Sequence, residues 1–213
     1  MTTLVIGDIQ GCYVELLELV EKAGMTDSDR IVALGDIVDR GPDPQNVIDY
    51  FRTKPNAETI MGNHERKHVE SYHGRTQPAK SQVLTKQQVT DYPGIIAWME
   101  TLPQYMRLPE ADLVHGFFEP GIPLEKQWEK VIVGVMGGQK KIQALPKPWY
   151  EMYDGDKPLI VGHHNYTGTS TPFIYKDRVY GLDTSCCHGG ALTGLLLPEF
   201  RIVQVPAKKN YWT

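Results

Sequence analysis

The sequence predicts one α/β domain, residues 1–213, in which two mixed β-sheets pack face to face with helices outside. Three observations predict it. The first half alternates short apolar runs with helical patterns, as strand–helix–strand units do. The second half holds paired apolar runs separated by two or three turn residues, which read as antiparallel hairpins. A run of apolar residues, then Gly, then a polar residue recurs at Gly7-Asp8, Gly35-Asp36 and Gly62-Asn63. The intervals are 28 residues from Asp8 to Asp36 and 27 from Asp36 to Asn63. Each suits one crossover of about 30 residues, so three adjacent parallel strands would bring Asp8, Asp36 and Asn63 to one sheet edge.

The elements follow in order. Residues 4–6 open the first strand. Residues 11–24 read as a helix with Leu16, Leu17, Val20 and Ala23 on its buried stripe and Gly24 ending it. The apolar run 31–34 is the second strand. Asp43 caps the next helix, Pro44 takes its first position, and Val47, Ile48 and Phe51 form its stripe. A third strand covers about 58–61 and a helix about 65–72, with His64 outside it. The polar stretch 73–88 has no apolar periodicity and reads as a cap over the site or a mobile loop. Residues 93–102 form a further helix, with Ile96, Trp98 and Met99 inward and Pro103 closing it. Strands follow at 105–108 and 112–114. Residues 116–156 carry several Gly and Pro and resist assignment. After the apolar run 159–161, hairpins pair 173–175 with 178–180 and 192–197 with 201–205, making the second half mostly antiparallel.

Composition excludes several classes. A hydrophobic content of 41% with 23% charged residues is that of an ordinary globular chain. A net charge of −4 argues against general nucleic-acid binding. No apolar run is long enough for a membrane span, and the start enters a strand with no signal-peptide pattern. Three cysteines make no disulfide framework, so a reduced, cytoplasmic protein is expected.

The chemistry gathers at Gly35-Asp36-Ile37-Val38-Asp39-Arg40-Gly41-Pro42. Two carboxylates and a guanidinium at a strand's carboxyl end must pair with one another or meet a metal or a phosphate. Two His elements, Val114-His115-Gly116 and Gly162-His163-His164, again follow apolar runs. Carboxylate, amide and imidazole donors suit hard-to-intermediate divalent cations such as Mn²⁺, with Fe or Zn²⁺ as alternatives.

The motifs GDIQG, GDIVDRG, GNHE, HG and GHH resemble those of the calcineurin-like metallophosphoesterases. They are most similar to the phosphoprotein-phosphatase group and its bacterial diadenosine-tetraphosphatase relatives, and the stretch 182–206 resembles the closing strands of that group. The resemblance implies a dinuclear-metal phosphoesterase in which a metal-bridging hydroxide attacks phosphorus directly. It implies Asp36 as bridging ligand, Asp8 and Gln10 on the first metal, and Asn63, His115 and His163 on the second. Arg40 and Asn63 would fix the phosphate oxygens, and His64 would protonate the leaving oxygen, oriented and kept charged by Asp39. Two departures stand out. Gln10 replaces the usual histidine, and a neutral amide oxygen is a weaker ligand. No arginine lies between His115 and His163, leaving Lys126, Lys130 and Arg178 as candidates for a second phosphate-binding cation.

The expected substrate is a phosphomonoester, serine/threonine-phosphatase-like, with symmetrical cleavage of a bis(5′-nucleosyl) tetraphosphate as the alternative. The partner would thus be a phosphoprotein, a nucleotide or a small phosphoester. Two rivals belong to other classes. His64-Glu65-Arg66-Lys67-His68 matches the zinc-protease pattern H-E-x-x-H, but that reading leaves Asp8, Asp36, Asp39 and Arg40 unexplained. A binding scaffold with a degraded metal site has only Gln10 in its favour. His68, His73 and His188 read as surface residues, Cys186-Cys187 as buried structural thiols, and the four tryptophans as packing unless one stacks on a nucleobase.

Overall fold

Side-chain alternation along the first strands sets the layering. In β1 (Thr3–Ile6) and β2 (Arg30–Ala33), Leu4, Ile6, Ile31 and Ala33 pack against helices, whereas Val5 and Val32 pack into a second sheet. Strands buried on both faces must be apolar throughout, and for that reason they appear in the sequence as unbroken runs. The computed structural model describes residues 1–213.

The first sheet has the order β10-β9-β1-β2-β3. β1, β2 and β3 (Ala57–Thr59) run parallel, as the spacing of Asp8, Asp36 and Asn63 requires. The hairpin of β9 (Ala191–Leu197) and β10 (Arg201–Pro206) extends the sheet, with β9 antiparallel to β1. The second sheet has the order β4-β5-β6-β8-β7. β4 (Tyr105–Arg107) and β7 (Phe173–Tyr175) pair antiparallel at its edges. Its centre differs from the expected antiparallel arrangement: β5 (Asp112–Val114), β6 (Leu159–Val161) and β8 (Val179–Gly181) are parallel. The long connection between β5 and β6 supplies the crossover that a parallel pair needs.

Helices close the outer faces. α1 (Tyr13–Ala23) ends at Gly24, whose φ of 72° puts it in the left-handed region natural to glycine. Its buried stripe includes Leu16 and Leu19, while Leu17, expected inside, is 42% exposed. α2 (Pro44–Thr53) begins as predicted, the Asp43 side chain accepting the Asn46 N–H. α3 (Asn63–Tyr72) starts earlier than expected and takes His64 into its first turn. The polar stretch 73–88 contains α4 (Lys80–Gln88), followed by α5 (Tyr92–Met99). α4 buries Ser81, Gln82 and Thr85, a polar face that apolar periodicity cannot reveal. In the unassigned segment 116–156, α6 (Glu129–Ile132) and α7 (Met136–Gln143) join Phe117, Phe118 and Trp149 over the outer face of the second sheet. No helix is long and apolar enough to cross a membrane.

Candidate active site

The loops leaving β1, β2, β3, β5 and β6 converge, and every metal-site residue expected from sequence sits on one of them, at or just beyond a strand's carboxyl end. Ten non-glycine residues have a left-handed backbone, and five of these are Gln10, Asp36, Asp39, Arg40 and His163. Such conformations cost about 1–3 kcal/mol each and persist where the surroundings over-determine them.

Glu65 does much of that determining. Its fully buried carboxylate accepts the backbone N–H groups of Asp36 at 2.8 Å, Ile37 at 2.9 Å and Gly62 at 3.0 Å, clamping the β2 loop to the start of α3. Burial and the nearby Asp36 push its pKa up, and its hydrogen bonds go to backbone N–H groups. The sequence carried a signal for it, an acidic residue at the third position of a helix start, where capping carboxylates sit.

Asp36, His115 and His163 bring one ligand atom each within 4.8 Å of one another. His115 donates from Nδ1 to the Leu34 carbonyl at 2.8 Å, which turns Nε2 toward Asn63 Oδ1 at 3.0 Å and Asp36 Oδ1 at 3.3 Å. His163 Nδ1 lies 2.7 Å from the same Asn63 oxygen, and its backbone N–H donates to Asp8 Oδ1 at 2.8 Å. Thus Asp8, Asp36, Asn63, His115 and His163, drawn from both sheets, form one cluster.

The electrostatics of this cluster fit divalent cations. Burial, then Asp183 and Asp36, push the Asp8 carboxyl well above the usual range. Burial and Asp36 likewise raise Asp183, a residue absent from the sequence-based ligand set. Burial would raise Asp36 too, but His115 and His64 hold it well below its ordinary value. Burial opposes charge on His115, yet Asp36 and Asp8 carry its pKa up to about 10. Burial and His115 push His163 down to about 3. Three crowded carboxylates that lean on imidazolium for charge balance are a donor set that a metal ion satisfies better than a proton.

Gln10 makes different contacts from those a ligand alone would need: its Oε1 accepts from Arg40 Nη1 at 3.0 Å and from Cys187 Sγ at 2.6 Å. The rest of the partly exposed Arg40 fork has no acceptor in the chain. Cys12, Cys186 and Cys187 are buried free thiols. Lys130 lies over the Trp128 ring and Arg178 donates to the Asp156 carbonyl, so neither is turned to the cluster. Lys209, not considered from sequence, shares a cavity with Arg40.

One surface assignment is overturned. His73 and His188 are exposed, but His68 is fully buried. The two histidines of H-E-x-x-H do share a helix, and their common target is the Asp39 carboxylate. His64 Nδ1 donates to Oδ2 at 2.6 Å and His68 Nε2 to Oδ1 at 2.9 Å. Thr85 and Ser81 of α4 donate to the same group at 2.7 and 3.2 Å. With Nδ1 so engaged, His64 presents Nε2 to the cluster, 3.8 Å from Asp36 Oδ2.

Comparison with known proteins agrees with this geometry. The family model for calcineurin-like phosphoesterases matches residues 1–189. The asymmetrical bis(5′-nucleosyl)-tetraphosphatase PrpE of Halalkalibacterium halodurans is 31% identical, covering 96% of this chain and 94% of that protein. The symmetrical bis(5′-nucleosyl)-tetraphosphatase of Shewanella baltica is 37% identical over 58% of this chain and 44% of its own length. A crystal structure assigned to a diadenosine tetraphosphatase superposes with a TM-score of 0.83 at 25% identity, covering 97% of this chain and 93% of that one. The chain belongs to the calcineurin-like phosphoesterase family and is a phosphoester hydrolase.

Proposed function

We propose that this enzyme hydrolyses a dinucleoside tetraphosphate, with asymmetrical cleavage as the favoured outcome. The observation that carries the reading is the extent of the likeness. The asymmetrical tetraphosphatase matches over nearly its whole length, whereas the symmetrical one matches over less than half of its own. The likeness favours the tetraphosphatase alternative over the phosphomonoester expected first, and within it asymmetrical over symmetrical cleavage.

Asp8, Asp36, Asn63, His115 and His163 would hold two divalent ions, Mn²⁺ being the first choice for this mixed oxygen and nitrogen set. Bound there, such ions supply charge neutralisation for the phosphate and lower the pKa of water. The protein's own groups do the rest. Arg40 grips non-bridging phosphate oxygens through the part of its fork that Gln10 leaves free, a planar match to phosphate that lysine lacks. Gln10 therefore acts on Arg40, holding it from one side. His64 gives its Nε2 proton to the bridging oxygen as the P–O bond to the leaving nucleotide breaks, while Asp39 fixes the ring from the opposite nitrogen. The direct displacement needs no protein nucleophile.

Chromatography of the products from diadenosine tetraphosphate tests this. Equal amounts of ATP and AMP are expected; two ADP would indicate symmetrical cleavage. Release of inorganic phosphate from phosphopeptides at a higher kcat/KM than dinucleotide turnover would restore the phosphatase reading.

A further inference from the structure

A cavity of about 390 Å³ opens beside Arg40, between α4 and the segment that follows β10. Arg40 lies at one end, Gln87, Gln88 and Asn210 add amides, Lys209 a second cation, and Trp212 an indole. The segment is tied to the active site by a short chain of contacts. Gln10 Oε1 accepts from both Arg40 and Cys187, and the Cys187 carbonyl accepts the backbone N–H groups of Tyr211 at 2.9 Å and Trp212 at 3.1 Å. Tyr211 Oη donates to Glu15 at 2.8 Å and anchors the same stretch to α1.

Trp212 differs from the other indole beside a cavity. Trp149 is buried among Tyr150 and Tyr166, which pack on it edge-on, so its ring serves the core. Trp212 is half-buried and no aromatic ring packs on it; Lys80 lies over its ring, 5.3 Å from the centre. An aromatic ring, three amides and a lysine next to a phosphate-gripping arginine are what a nucleotide needs: stacking for the base, hydrogen bonds for its edge, and charge for its phosphate.

We propose that this cavity seats one nucleoside of the substrate, its base against Trp212 and its proximal phosphate on Arg40. The proposal rests on the tetraphosphatase reading and adds to it which surface recognises the nucleoside. It also gives the Gln10 bridge a purpose, because one amide oxygen then ties the phosphate grip to the wall that carries the base.

Binding and turnover test it separately. In calorimetric titrations of the Mn²⁺-loaded protein, AMP is expected to bind about tenfold more tightly than ribose 5-phosphate, the difference one stacking partner makes. Trp212→Ala should erase that preference and Trp212→Phe should keep most of it. In turnover, Trp212→Ala should lower kcat/KM for diadenosine tetraphosphate about tenfold more than for p-nitrophenyl phosphate. Equal binding of AMP and ribose 5-phosphate by the unmodified protein would overturn the proposal, with no variant needed. So would a base preference that survives Trp212→Ala. Absence of dinucleotide turnover together with an intact, Trp212-dependent base preference would overturn the tetraphosphatase reading and leave the nucleoside seat standing.

Discussion

His68 donates from Nε2 to Asp39 Oδ1 at 2.9 Å, on the side of the carboxylate opposite His64. Its other ring nitrogen shares a hydrogen bond of 2.8 Å with the Tyr92 hydroxyl, so α3 and α5 meet the site through one buried imidazole. Asp39 is consequently held by α3 and α4 together, and His64 inherits its orientation from that grip. His68→Leu leaves a buried carboxylate short of one donor and should cost about 1–3 kcal/mol of stability. Denaturant melts read the stability; kcat should fall more than KM changes, because His64, whose orientation suffers, acts in the bond-breaking transition state.

Acid should weaken the same grip. Burial favours neutral Asp39, but the hydrogen bonds from His64 and His68 overcome it and hold the pKa well below the ordinary value. The unfolded chain therefore binds this proton more readily than the native one. Asp39 contributes its full stabilisation above its unfolded pKa of about 4 and loses it as pH falls toward the folded value. The stability gap between the wild type and Asp39→Asn should narrow steadily below about pH 4 in chemical denaturation series.

Glu65 is expected to be the most sensitive residue that touches no substrate. Glu65→Ala strips the acceptor from the N–H groups of Asp36, Ile37 and Gly62 and should destabilise the fold by at least about 3 kcal/mol. Glu65→Gln keeps one acceptor oxygen and should lose less. Equal melting temperatures for the wild type and both variants would contradict the clamp.

Gln10→Ala removes the side-chain acceptor that holds Arg40. A lost charge-assisted bond of this kind should raise KM for the dinucleotide about tenfold. Half-saturating Mn²⁺ should move much less. The opposite pattern, metal affinity collapsing with KM steady, would return Gln10 to the ligand set.

Much of the frame was legible because its causes are local. The Gly-Asp and Gly-Asn turns at Asp8, Asp36 and Asn63, spaced by single crossovers, fix three parallel strands and one edge. Asp43 before Pro44 and Gly24 after Ala23 mark helix ends by backbone chemistry alone. What escaped was polar and long-range. α4 carries no apolar stripe because Ser81 and Thr85 face a carboxylate from 42 and 46 residues earlier in the chain. His68 looked like a surface residue since nothing nearby in sequence announces Asp39 as its partner. Asp183 joins Asp8 and Asp36 only once β8 lies beside β6, a parallel pairing that the hairpin reading of that region did not contain.

The most direct test of the whole account measures metal content and diadenosine tetraphosphate turnover together, in the wild type and in Asp36→Asn, after chelation and Mn²⁺ return. The stripped wild type should be inactive, activity should rise in step with bound metal, and Asp36→Asn should lose both while keeping its fold. Turnover that persists in the stripped protein, or in a folded Asp36→Asn variant that binds no metal, would contradict it.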